Sequence, residues 1–264
     1  MFVALLGLGA MGAALATVIA QAVSVMISIL IIVKKPLPFV FQKEYISFNK
    51  RIIGKELKLG MPIALQELLV GGSFLVIQTV VNSIDVTASA GVGIAEKVCA
   101  FIMLVPSAFS QAISAFVAQN IGAGLRSRAT KALRCGISVS VILAIFIATF
   151  TFFRGDLLAY IFTKDADVIV QAHEYLKSYA IDTLFTAFLF CFIGYYNGCG
   201  NTFFVMIQGI VGAFCVRVPI VLLMSSLENT NLFRIGLATP ISSFFQILLC
   251  VIFWLYTNRR KRTC

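Results

Sequence analysis

Blocks of apolar residues, each about as long as the ~20 needed to cross a bilayer, follow one another along this chain. They cover residues 1–33, 59–82, 88–120, 129–153, a run that ends near Asn197, 203–225 and 232–256. In hydrocarbon the backbone must satisfy its own hydrogen bonds, so each block is read as a helix. The chain is 60% hydrophobic and 12% charged, with a mean hydropathy of +0.98. A soluble domain carries about twice that share of charge. The reading is an all-α polytopic membrane protein with about seven transmembrane helices.

The basic residues sit mostly between the blocks, and the strong basic runs fall on alternate connections. Residues 34–58 hold Lys34, Lys35, Lys43, Lys50, Arg51, Lys55 and Lys58 against Glu44 and Glu56. The next connection has only Asp85, and the one after has Arg126, Arg128, Lys131 and Arg134. The fourth mixes Arg154, Asp156, Lys164 and Asp165, the fifth is uncharged, and the tail is Arg259-Arg260-Lys261-Arg262. The positive-inside rule places the long connection, the third connection and the C-terminus in the cytoplasm. The net charge of +10 is thus a topology signal. No basic face with interleaved aromatics is present, so nucleic acid is not an expected partner. The mixed apolar and basic stretch 39–58 is expected on the cytoplasmic face, against anionic lipid.

Several motifs lose their usual meaning in this setting. Gly7-x-Gly9-x-x-Gly12 is written like a dinucleotide turn, but that site needs an acid about 20 positions on to hold ribose. Ile32, Lys34 and Lys35 stand there instead, and no strand–helix alternation follows. The stretch "GAALATVIAQ" (12–21) is also echoed by "GLATPISSFFQ" (236–246). His173-Glu174 lacks the second His of a zinc-protease helix and reads as an interfacial segment. Seven cysteines without Cys-x-x-Cys spacing indicate neither a metal site nor a disulfide framework. No nucleophile–base pair stands out, so an enzyme is not expected, nor a structural metal or cofactor.

Four stretches occur in order: "GMPIALQELLVGGSFLVIQTVVNS" (60–83), "AFSQAISAFVAQNIGAG" (108–124), "YNGCGNT" (196–202) and "GLATPISS" (236–243). Together they resemble the multidrug and toxic compound extrusion (MATE) family of secondary antiporters. That resemblance implies twelve helices in two six-helix halves related by an internal repeat, a common transporter plan. Residues 1–33 then correspond to the tail and last helix of a first half-bundle. Residues 34–58 form a basic cytoplasmic linker, 59–257 the second six-helix bundle and 258–264 a basic tail. On this reading the chain is truncated, and a missing N-terminal half-bundle is a partner. The family implies export of organic cations or drugs across the plasma membrane in exchange for Na⁺ or H⁺. The alternatives are a lipid-linked oligosaccharide flippase of the same superfamily, or an inactive fragment that needs its first half.

Ionisable groups inside a span are costly and invite a functional reading. Glu67 and Asp182 are the candidates for the coupling ion or the substrate cation. Glu67 could equally balance Lys55 or Lys58, and Asp182 could be an outer Asp partnered by Lys177. Depth counting places Glu96, next to Lys97, in one outer layer with Asp182 and Arg217. Arg217 is expected to pair with Glu96 or Asp182. Gln66, Gln78 and Asn197 are candidate cavity amides, while the other span amides are read as bonds between helices. Gly71, Gly72, Pro106 and Pro219, with Pro240, are candidate hinges because they weaken helical rigidity.

Overall fold

The computed structural model describes residues 9–34, 49–83, 85–227 and 231–262. The described residues are all-α, and seven helical stretches are long and apolar enough to cross a membrane. The chain divides into two units after Lys50. The first carries α1 (Gly9–Lys34), a helix whose side chains are largely apolar and exposed. Gly9 takes a positive φ of 49° and Gly12 falls inside the helix, while Gly7 lies outside the described residues.

The second unit carries α2 (Lys50–Asn82), α3 (Val86–Gly122), α4 (Arg126–Tyr160) and α5 (Ala166–Gly198). The sixth span is composite: α6 (Thr202–Ile210), a π-helix (Val211–Arg217) and α7 (Val218–Ser225). The seventh joins α8 (Leu232–Gly236) to α9 (Ala238–Arg262).

Two boundaries differ from the hydropathy reading. α2 starts at Lys50, so Arg51, Lys55 and Lys58 ride on its first turns. Lys and Glu are good helix formers, and at 33 residues the helix is about 50 Å long, longer than the hydrocarbon core. His173-Glu174 belongs to α5 itself, which begins at its N-cap Asp165. The Asp165 carboxylate accepts from the Asp167 and Val168 amides at 3.1 and 3.3 Å, satisfying orphan donors of the first turn. Asp182 therefore sits near the middle of one continuous helix. Lys177, a possible partner for it, donates instead to Glu174 at 2.6 Å.

α5 is the central element and packs against α3, α4, α6, α8 and α9. Its tightest seam is with α3. Gly194 and Gly198 form a Gly-x-x-x-Gly pair, and a Cβ on Gly194 would overlap the Ser110 backbone carbonyl. A Cβ on Gly198 would stand 2.6 Å from the Ser114 carbonyl oxygen. Ser110 and Ser114 have the same spacing, so two small-residue stripes let the backbones approach.

Two apolar clusters sit along α5. One gathers Tyr175, Leu176 and Tyr179 with Ile77, Val92 and Ile235. The other gathers Phe192 and Tyr196 with Ile113, Leu133 and Val205. In the second, Tyr196 meets Phe204 and Phe253 edge to face, and its hydroxyl donates to the Cys250 carbonyl at 2.7 Å. Tyr196→Phe keeps the ring and removes that bond. It is expected to lower the unfolding free energy by about 1 kcal/mol, read from the midpoint of a detergent denaturation curve. Between the clusters α5 buries Asp182, Thr183 and Thr186. That polar interval positions the site.

The candidate hinges behave differently from one another. α2 runs unbroken through Pro62, Gly71 and Gly72, and α3 through Pro106. The irregular backbone lies in the sixth span, where Pro219 stands two residues past the end of the π-helix. Pro219 has no N–H to give to the carbonyl one turn back. A further non-helical residue, Arg154 (φ −129°, ψ 29°), interrupts α4.

Candidate functional site

A cavity of about 360 Å³ lies among α2, α3, α5, the π-helix and α9. Its charged lining consists of Glu67, Asp182 and Arg217, and its amides are Gln66, Gln111, Asn197 and Gln246. Ser107, Ser110, Thr186, Thr239 and Ser243 add small hydroxyls, and Phe74, Met103 and Tyr179 add apolar surface. The lining is thus mainly polar, in a span region where a polar side chain is costly and invites a functional reading.

Asp182 is 2% exposed, and its Oδ1 accepts from the Ser243 hydroxyl at 2.6 Å. Successive residues on a helix point about 100° apart, so Ser242 faces elsewhere. Its hydroxyl donates to the Gly212 carbonyl at 2.7 Å and accepts from the Gln246 amide at 3.2 Å. Gly212 lies in the π-helix, and a Cβ there would overlap the Gln246 side chain. The Ser-Ser pair of α9 thus holds the site carboxylate with one member and the widened helix with the other. π-turns of this kind are rare and concentrate at functional sites.

Arg217 ends that π-helix and is 5% exposed. Its Nη1 donates to the Ser73 hydroxyl at 3.0 Å, and its Cζ stands 4.4 Å from the centroid of the Phe74 ring. A cation over an aromatic face is attracted by the ring quadrupole. Its Nε has no hydrogen-bond partner. The expected ion pair with Glu96 or Asp182 does not form. The ion pairs among the described residues are Arg154–Asp156 and Lys177–Glu174. Two serines, Ser73 and Ser243, take the places that a direct pair would fill.

Of the other candidates, Glu67 and Gln66 both reach the cavity from α2. Glu67 is exposed, whereas Gln66 is buried against Gly209 of α6. Glu67 forms no ion pair with Lys55 or Lys58. Asn197 reaches the cavity from the far part of α5, and its buried Oδ1 lacks a partner. Gln78 is not among the lining residues and donates to Asn82 at 3.3 Å. Glu96 lines a separate pocket of about 240 Å³ with Phe74, Cys99, Tyr175 and Tyr179. Depth counting fixes a residue's level along a helix but not the direction of its side chain, which is why Glu96 falls elsewhere.

Ser73 and Ser243 were missed by sequence reasoning. Serine is common in packed membrane helices, and only Ser242-Ser243 followed one turn later by Gln246 in an apolar run offers a signal. Among the described residues no group of three His, Cys, Asp or Glu side chains is placed to hold a metal ion.

The MatE family model matches residues 62–223 of this chain. Probable multidrug resistance protein YoeA of Bacillus subtilis (strain 168) is 23% identical, over 97% of this chain and 56% of its own length. Human multidrug and toxin extrusion protein 1 is 26% identical, over 99% of this chain and 46% of its own length. The chain spans about half the length of the curated relatives it matches. Among solved structures, that of MATE in complex with MaL6 superposes with a TM-score of 0.85 at 17% identity, covering 98% of this chain and 58% of the other. An inward-facing MATE family transporter of the MOP superfamily gives 0.70 at 18% identity, over 98% and 59%. With the family match covering most of its membrane spans and the fold shared over nearly its full length, this polytopic membrane protein belongs to the MatE family.

Proposed function

We infer that this chain forms one half-bundle of an antiporter that exports organic cations or drugs in exchange for Na⁺ or H⁺. The observation that carries the reading is Asp182. It is a buried carboxylate on a membrane helix, held by a hydroxyl rather than by a cation, and it faces a cavity. A charge is kept at that depth only at a price in solvation, so it invites a functional reading. A coupling ion or proton on Asp182 removes its attraction for a cationic substrate. Glu67, more exposed in the same cavity, is the first carboxylate that an entering cation meets. The relatives named for multidrug resistance and toxin extrusion support this substrate class.

The working unit places the chain in the plasma membrane with its C-terminus in the cytoplasm, as the basic runs direct. A second six-helix bundle faces it, and rocking of one against the other gives alternating access. The test is efflux of tetraphenylphosphonium from cells stripped of their own exporters. These cells express the full chain with or without a matching first half-bundle. Efflux that needs both pieces and collapses with the Na⁺ or proton gradient is the expected result. Efflux unchanged by dissipating either gradient overturns the antiport reading, and no efflux with both pieces overturns the transport reading.

A further inference from the structure

We propose that the face of α4 turned away from the bundle binds an anionic phospholipid. Arg128, Lys131 and Arg134 hold its phosphate headgroup, and the apolar stripe beyond them takes its acyl chains. The site lies outside the cavity. It rests on the membrane placement of the helices and not on the antiport reading.

The argument starts from direction. α4 packs against α3 and α5, and it buries Ala129, Leu133, Ser140 and Ala144 along one side. Successive residues of a helix turn by about 100°, so Arg128, Lys131 and Arg134 share an arc of about 120° on the opposite side. All three are exposed. Ile142, Ile145, Phe146 and Phe153 continue the same arc and are exposed as well. The face is therefore cationic over its first turns and apolar after them. A phospholipid with a negative headgroup has the matching order of chemistry along its length.

Depth agrees with this. Residues 135–153 carry no charge. From Arg134 to Arg154 the helix rises about 30 Å, the thickness of the hydrocarbon core. Arg134 thus stands at one boundary of that core. The six residues from Arg128 to Arg134 rise about 9 Å, enough to cross the headgroup layer on that side. The protein supplies no counter-charge there. No Asp or Glu occurs between Glu96 and Asp156, or in residues 183–198, so neither neighbouring helix brings an acid to this end. The ion pairs among the described residues, Arg154–Asp156 and Lys177–Glu174, involve none of the three. On α2, by contrast, Lys55 and Lys58 flank Glu56. Each guanidinium offers a planar fork to phosphate oxygens, and Lys131 adds a point charge between the two arginines. A choline headgroup carries its own cation and gains less from them.

The test is native mass spectrometry of the full chain, purified in detergent that holds equal amounts of phosphatidylglycerol and phosphatidylcholine. Phosphatidylglycerol is expected to be retained about tenfold in preference, less so as ammonium acetate is raised. Arg128→Gln/Lys131→Gln/Arg134→Gln removes the preference, and Lys55→Gln/Lys58→Gln keeps it. Lys131→Glu, at the centre of the arc, lowers it further than Lys131→Gln, a graded reading that stands even if the triple variant fails to fold. Excess inorganic phosphate leaves it unchanged, because a free ion has no chains for Ile142 and Phe146 to hold. Equal retention of the two lipids, or a preference that survives the triple change, overturns the site. A preference lost with Lys55 and Lys58 overturns its place on α4, and displacement by phosphate overturns the lipid as its ligand.

Discussion

Gly194→Leu is expected to be the most damaging single change in the bundle. The α3–α5 seam is built on backbone approach, and a Cβ at 194 would overlap the Ser110 carbonyl. Backbone cannot step aside as a flexible side chain can, so even alanine must push the two helices apart. Leucine adds three further carbons to a seam that holds none, and overpacking of this kind costs about 3 kcal/mol or more. α5 also carries Asp182 and Asn197 to the cavity, so separating it from α3 should widen the site as well as destabilise the fold. The measurement is the fraction of purified chain that elutes as a single species, with its thermal midpoint in detergent. A suitable control lies on α3 itself: nothing approaches within 4 Å of a Cβ built on Gly93. Gly93→Ala should therefore hold or gain up to about 1 kcal/mol from helix propensity. A Gly194→Leu chain that melts with the unaltered protein would show that the seam is looser than described.

The same seam shows where sequence reasoning stops. Seven spans are legible because hydrocarbon leaves an apolar block no option but a helix. Their ends are less so. Hydropathy falls at Lys50–Lys58 while the helix continues, since lysine and glutamate leave the bilayer without leaving the helical conformation. Charged and amide side chains in apolar blocks announce themselves, and Glu67, Asp182, Arg217, Gln66 and Asn197 do reach one cavity. Their contacts are another matter. Arg217 and Asp182 share a cavity, but each binds a serine on a different helix, and no spacing rule pairs residues 73 and 217 or 182 and 243. Gly-Tyr-Tyr-Asn-Gly could have been read as a small-x-x-x-small stripe, yet its match to Ser110 and Ser114 appears only when α3 and α5 are set side by side. The π-helix leaves a single trace, Pro219 beyond its end.

Asp182→Asn should weaken cation binding while leaving the fold in place. The amide oxygen of asparagine can still accept from the Ser243 hydroxyl, which now holds Asp182 at 2.6 Å, so the side chain keeps its anchor and loses only its charge. At an effective dielectric of about 20, a unit charge 4 Å from a ligand cation contributes about 4 kcal/mol before desolvation. A net loss of about tenfold to a hundredfold in tetraphenylphosphonium affinity is a reasonable share of that. The dependence on competing ions separates this from a packing effect. In the unaltered chain, affinity should fall as pH falls, because protonation neutralises the carboxylate, and added Na⁺ should lower it where Na⁺ is the coupling ion. In Asp182→Asn both dependences should flatten. Ser243→Ala, which keeps the charge but frees it from its donor, should retain them. Glu67→Gln should cost less, because Glu67 is exposed and its field is screened by solvent. If Asp182→Asn binds as before and still responds to pH and Na⁺ while Glu67→Gln does not, the ion-responsive carboxylate is Glu67. Asp182 would then be a buried tie between α5 and α9.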